Sequence, residues 1–472
     1  VNALESLTFF RPEITLLAGA FAAFFMDFFV KNKKMVGYFA VLILAAAALV
    51  SRYPSGPQQL FFGFFTLDAF THYFRYLALG AVAVTLLISL SSREIAKNIE
   101  GEYYALFLFM AFALDLIGAS RNLLMIYMSI EFVSLISYLL VGFLKKSPKS
   151  KEAAIKYFLF GSTASAVMLF GMSLLFGAAG SLDIGTIGAR LTQSSFYGVS
   201  LISLILFLTG LGFKVSMAPF HLWAPDVYEA APTPVTAFLT VAPKALGFAA
   251  LIRVLSESYL WLAWKWDGLL TLLSILTMTI GNLTAISQTN VKRFLAYSSI
   301  AQAGYILMGI ATFNATGIAG ILIYLLAYAF TNLGAFAVVS IVSDHSGNDE
   351  MASYAGLARR SPALAACLTF FLLSLAGIPP TAGFIGKFFV FAGTIEAGFI
   401  LLAVAAAVNS AVAAYYYFKI VRLMYLTPCA ETSPLEIGLA LKWVLAVTFA
   451  GTLVIGLYPA PVIRFIQTSL FM

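Results

Sequence analysis

About fourteen stretches of roughly twenty apolar residues follow one another along the chain, each long enough to cross the hydrocarbon core of a bilayer as a helix. They centre near Phe21, Leu42, Val82, Phe109, Val133, Leu169, Leu206, Leu246, Ile275, Leu307, Tyr328, Phe384, Ala411 and Val447. Only 10% of the residues are charged, against about 25% in a soluble domain. With 61% hydrophobic residues, no water-soluble fold of this length could hide its apolar surface. The expected fold is an all-α polytopic membrane protein. A disordered chain, a fibrous protein and a soluble enzyme are excluded.

The loops between the spans carry an uneven charge. One side collects Lys31, Lys33, Lys34, Arg93, Lys97, Lys145, Lys146, Lys149, Lys151, Lys156, Lys292, Arg293, Arg359, Arg360, Lys419, Arg422 and Lys442. The other side holds Arg11, Arg52, Arg75, Arg121, Arg190, Arg253, Lys265 and Arg464. By the positive-inside rule the richer side is cytoplasmic, and both termini then face outward. The net charge of +7 follows from these loops, so no nucleic-acid partner is expected. Arg11 and Glu13 precede the first span and no small-residue cleavage site follows it, so no cleavable signal peptide is expected either.

Three basic residues remain, Lys214, Lys244 and Lys387, and all fall inside spans. Each costs about 2.5–3.5 kcal/mol at a helix centre on an insertion scale. Glu131 joins them near the middle of the fifth span. Snorkelling accounts for span-end charges such as Asp27 beside Lys31 and Asp115 near Arg121. It accounts poorly for mid-span charges, which usually mark ion paths. The aromatic residues, 15% of the chain, suit lipid-facing and interfacial positions.

Two spans carry helix breakers close to a lysine. Span seven reads Gly210-Leu211-Gly212-Phe213-Lys214, then Pro219; span twelve reads Gly377-Ile378-Pro379-Pro380, then Gly383, Gly386 and Lys387. Proline removes a backbone donor, and a break inside a bilayer is tolerated only within protein or beside water. Such a break also turns dipole ends toward an ion. The breaks lie five spans apart, an odd offset that reverses direction and suggests two inverted five-helix repeats. Tyr127-Met128-Ser129-Ile130 before Glu131 and Tyr297-Ser298-Ser299-Ile300 before Ala301 align under that scheme. The expected units are residues 1–100 (spans one to three), 101–260 (four to eight), 261–427 (nine to thirteen, inverted) and 428–472 (span fourteen).

The stretch 212–239 reads GFKVSMAPFHLWAPDVYEAAPTPVTAFL. It closely resembles the signature of the antiporter-like subunit N of bacterial complex I, the NADH–quinone oxidoreductase. The L and M subunits share its Pro, His, Trp, Pro-Asp and Pro-Thr skeleton. The continuation Asp226-Val227-Tyr228-Glu229 resembles subunit N in particular. So do Gln288-Thr289-Asn290-Val291-Lys292-Arg293, LAYSSIAQAGY at 295–305 and GIPPTAGFIGKF at 377–388. The resemblance covers essentially the whole chain.

The resemblance implies a proton-translocating membrane-arm subunit. Glu131 matches the span-five carboxylate that tunes Lys214. Lys214 matches the lysine of broken span seven, Lys244 the span-eight lysine at the centre of the hydrophilic axis, and Lys387 the exit-side lysine of broken span twelve. A buried lysine, unlike arginine, can give up its proton, and a nearby carboxylate favours its charged form. His221, Lys156 and Gln302 are lesser candidates for the proton path. Loop anchoring competes for His221, and an interface role competes for Lys156. Asn332 and Asn409 suit interhelical hydrogen bonds.

The family binds no cofactor in this subunit, and NADH, FMN, iron–sulfur clusters and quinone belong to partner subunits. Two cysteines, Cys367 and Cys429, three scattered histidines and the lack of a Gly-rich nucleotide fingerprint agree with that. Expected partners are the antiporter-like M subunit, small membrane subunits such as K, J and A, the lipid bilayer and protons. The expected location is the prokaryotic cytoplasmic (inner) membrane. A subunit of a multi-subunit monovalent cation/proton antiporter is the alternative that the same resemblance leaves open.

Overall fold

The computed structural model describes residues 3–52, 56–96, 101–193, 196–428 and 435–469. Lys97 and Cys429 of the sequence reading lie outside the described residues. The chain is built almost entirely of helices: α1 (Ala3–Phe9), α2 (Arg11–Phe29), α3 (Lys34–Val50), α4 (Ala69–Ser91), α5 (Arg93–Ala96), α6 (Glu102–Ala119), α7 (Leu123–Val141), α8 (Pro148–Ala179), α9 (Ile184–Thr192), α10 (Tyr197–Val215) and α11 (Trp223–Ala230). It continues with α12 (Thr233–Ser258), α13 (Ala263–Ile286), α14 (Val291–Thr312), α15 (Ala315–Ser346), α16 (Leu357–Arg360), α17 (Pro362–Ala376), α18 (Ala382–Glu396), α19 (Ile400–Leu426), α20 (Leu439–Leu457) and α21 (Ala460–Ser469). A small antiparallel hairpin, β1 (Gln58–Leu60) with β2 (Phe65–Leu67), pairs Gln59 with Thr66 between α3 and α4.

The long apolar runs set the helix bodies, and short polar residues set their ends. Asp68, Asn122, Ser147, Asp183, Asn290 and Asn314 each accept a backbone N–H of the first turn they precede. Gly180 and Gly347 close α8 and α15 in the left-handed conformation. These two helices have 32 residues each, about 48 Å at 1.5 Å per residue, more than a bilayer core.

Burial sorts the helices into centre and periphery. α12, α14 and α15 bury nearly every residue. α2, α3, α8, α13, α19 and α20 keep large apolar side chains exposed, among them Phe29, Leu49, Phe170, Leu272, Leu401 and Trp443. A soluble protein would not leave such faces open; in a bilayer they meet lipid or a neighbouring membrane helix. The fold is thus an all-α polytopic membrane protein.

Several span-end charges are placed differently from the sequence reading. Arg75 and Arg253 are not loop charges: they lie in α4 and α12, each 3% exposed or less. Asp115 pairs with Arg75 (Nε–Oδ1 2.8 Å), not with Arg121. Arg121 instead bridges Asp183 and Glu257 at 3.2 Å each. Asp27 pairs with Lys33 rather than Lys31. Lys292 is a helix residue too, 3% exposed, bound to the Ala231 carbonyl and to Asp349. Helix packing brings together charges far apart in sequence, and nearest-neighbour spacing cannot show that.

Candidate functional site

Two interruptions frame the site. α10 ends at Val215, Ser216 turns left-handed at φ +59°, and helix resumes at Trp223. The backbone freed there finds partners inside the protein: Ala218 N donates to Thr277 Oγ1 (3.0 Å), and Phe213 O accepts from the Trp223 indole (3.1 Å). Tyr157 of α8 stacks on Trp223 at 4.3 Å and fixes the start of α11. The second gap separates α17 from α18. Here Gly377 at φ +85° folds its N–H back on Leu373 O and Ser374 O.

Each mid-span lysine lies at or beside these features. Lys214, in the last turn of α10, donates to Ser134 Oγ on α7 (3.1 Å). Ser134 is three residues beyond Glu131, on the same face of α7. Glu131 itself accepts a close hydrogen bond from Ser165 of α8. Lys244, in the middle of α12, donates to Ser299 Oγ (2.8 Å) and Ser299 O (3.2 Å) on α14. Lys387, in the second turn of α18, donates to Ala376 O (2.9 Å), the last helical carbonyl before the gap. Its ammonium lies over the Tyr305 ring at 4.4 Å.

Smaller contacts link the lysines. A side chain at Gly247, one turn beyond Lys244, would meet Val215 and the stem of Lys214, so glycine lets α10 and α12 approach there. His221 lies in the first gap, buried, and interacts electrostatically with Lys244. From the sequence it is expected near the end of span seven; the structure buries it in the interruption. Gln302, one turn along α14 from Ser299, donates to Leu375 O (3.0 Å) and Tyr417 Oη (3.2 Å) and accepts from Tyr324. Tyr305 then accepts from Asn282 (3.2 Å), which also reaches Asn409. The polar row therefore runs from Glu131 past Lys214, Lys244 and Gln302 to Lys387, across α7, α10, α12, α14 and α18. Among the described residues, none of the three lysines forms an ion pair within 4.0 Å.

Two residues stand at the edge of this row or outside it. Glu131 is only half-buried, because the neighbouring Met128 and Leu135 face outward and place it at the border of an exposed surface of α7. Lys156 stays at the surface, paired with Glu152 (2.8 Å) and Asp226 (3.3 Å), and does not join the row. Asp226 also pairs with Arg293 (2.8 Å), so α11 is held between α8 and α14. The sequence reading missed Ser134, Ser165, Ser299, Tyr324 and Tyr417. Only Ser134, at i+3 from Glu131, carried a usable signal.

A cavity of about 280 Å³ lies at the end of α12, lined by Glu94, Thr233, Asp344 and Asp349. Burial pushes the Glu94 carboxyl up from its usual range, against the pull of Lys292. From the cavity, Thr233, Thr236, Thr240 and Lys244 follow at helical spacing on one face of α12. Asn332 of α15 donates to Thr240 Oγ1 (2.6 Å) beside them.

Comparison with known proteins decides the family. Residues 120–413 match the family described as NADH:quinone oxidoreductase/Mrp antiporter, TM. The chain is 41% identical to NADH-quinone oxidoreductase subunit N 2 of Sorangium cellulosum (strain So ce56), over 99% of this chain and 98% of that one. It is 40% identical to NADH-quinone oxidoreductase subunit N of Trichlorobacter lovleyi, over 98% of this chain and 97% of the other. The chain belongs to the subunit N family of NADH-quinone oxidoreductase. A chain of respiratory complex I from Thermus thermophilus has the same fold, with a TM-score of 0.81 at 34% identity, covering 96% of this chain and 98% of that one. Among the described residues no group of three His, Cys, Asp or Glu side chains could hold a metal ion. The polar row lies wholly within the region matched by the family.

Proposed function

We propose that the chain is a proton-translocating membrane-arm subunit of a respiratory NADH–quinone oxidoreductase. The observation that carries this reading is the row of three buried lysines, each held by hydroxyls or carbonyls rather than by a carboxylate. An ammonium in that setting is free to exchange its proton with a neighbour through water. Glu131 shares one face of α7 with Ser134, the hydroxyl that accepts from Lys214, so a small shift of α10 changes how strongly the carboxylate holds the lysine charged. The proton passes from the cavity at Glu94 along the threonine face of α12 to Lys244, through Gln302 and its tyrosines, and on to Lys387. His221 bears on Lys244 from the first gap.

The orientation proposed is the one the loop charges favour, with the basic loops cytoplasmic and both termini outward. α6 to α12 and α13 to α19 are the proposed inverted repeats, each with one interrupted span. The chain has no redox centre of its own in this reading, and quinone reduction in partner subunits supplies the energy. The half-exposed Glu131 suits contact with a neighbouring antiporter-like subunit. The family description also names the Mrp antiporter, and the full-length similarity to subunit N chains favours the respiratory reading over the antiporter alternative.

Gentle affinity purification of the tagged chain from its own membranes tests the assignment. Flavin and iron–sulfur signals together with donor–quinone reductase activity are the expected result. Recovery with membrane subunits alone, showing salt-dependent proton exchange and no redox centre, would replace it with the antiporter reading.

A further inference from the structure

The second concentration of buried charge lies away from the lysine row, at the end of the spans that carries Asp68 and Arg121. Glu13 of α2, Arg75 of α4 and Asp115 of α6 converge there, each 2% exposed or less. Arg75 donates through Nε to both oxygens of Asp115 (2.8 and 2.9 Å), through Nη2 to Glu13, and through Nη1 to Ser51 (3.1 Å). Two carboxyls thus face one guanidinium in an interior built of apolar side chains. The second oxygen of Glu13, Oε2, is buried with no hydrogen-bond donor, while both carboxyls contact the same guanidinium.

The charge count decides what the cluster holds. If both acids were ionised, one negative charge would stay uncompensated out of water, with Glu13 Oε2 lacking a donor. One proton on the pair leaves a single negative charge for Arg75. The other titratable groups nearby are His72 and Tyr76, both on α4 and both acting on Arg75. His72 faces Ser51 (3.3 Å), the hydroxyl that also accepts from Arg75. A positive imidazole there would sit against the guanidinium, so the acid pair is the better place for the proton.

From this geometry we infer that Glu13 and Asp115 form a second proton-binding site, an acid pair that shares one proton at neutral pH beside Arg75. The site is separate from the lysine row and does not depend on that row conducting protons. It comprises residues of α2, α4 and α6, outside the two repeats proposed above for all but Asp115.

Infrared difference spectroscopy on the purified complex containing this chain tests the inference. At neutral pH, Glu13→Gln and Asp115→Asn should each remove the same protonated-carboxyl C=O band, because one proton serves both groups. Labelling glutamate side-chain carboxyls with ¹³C in the unmutated chain should shift or split that band, which keeps the test open if a variant fails to assemble. Loss of ionised-carboxylate bands in the variants, with the C=O region unchanged and insensitive to labelling, would overturn it and leave the three residues as a purely ionic cluster.

Discussion

A lysine buried in a membrane protein without a carboxylate partner is costly, and three of them in one row are hard to explain by packing. The residues around them are chosen for close approach. Gly377 shows this best. Its φ of +85° suits glycine, and an added Cβ would sit 2.6 Å from Lys387 Cδ. Gly398 has a similar φ of +81° but open space around it. Alanine at either position should cost about 1–2 kcal/mol in backbone energy. Only Gly377→Ala should also displace Lys387 and lower proton pumping several-fold. Thermal unfolding and pumping assays on the two variants, side by side, check this; equal pumping would show that Lys387 does not need its present position. The lysines and the glycine-proline breaks were legible in the sequence, since mid-span charge and helix breakers are local signals. The serines that accept from the lysines and the tyrosines around Gln302 were not, because hydroxyls are common in membrane helices and their partners lie on other helices.

At the scale of elements, the ends of helices are tied together by buried ion pairs that cross the bundle. Asp68 caps α4 through Thr71 N (2.7 Å) and binds Arg253 of α12 at 3.0 and 3.1 Å. Burial alone would raise the Asp68 carboxyl, but Arg253 and Thr71 outweigh it and hold the group below its usual range. A carboxylate depressed in the folded state adds stability above its unfolded value, near pH 3.9, and loses it as pH falls through the folded value. Asp68→Asn keeps the cap but leaves Arg253 short of a partner. It should cost about 3 kcal/mol at neutral pH, the scale of a broken buried pair. The loss should shrink as the pH is lowered below about 4. Melting curves of wild type and variant across pH measure it, and a gap that stays constant into acid would contradict the assignment. This pairing was invisible in the sequence reading, which treated Arg75 and Arg253 as loop charges. Among the described residues, eight helices, α4 to α11, intervene between Asp68 and Arg253, and only the packed bundle brings the two together.

Across the whole molecule, the apolar pattern was sufficient to read an all-helical membrane fold, because twenty apolar residues leave the backbone little choice but a helix. Each of the fourteen centres read from the sequence falls within a helix of the structure. The arrangement of those helices was not legible in the same way. α12, α14 and α15 form the buried middle, yet α12 and α14 are less apolar in sequence than the peripheral α3 and α20. The polar row runs through this middle. Its part in proton transfer is tested by measuring protons pumped per quinone reduced in liposomes carrying the assembled complex with Lys214→Ala or Glu131→Ala. Normal assembly with a lower proton yield and lower coupled reductase activity is expected in both variants. Unchanged pumping at normal assembly in both would contradict it.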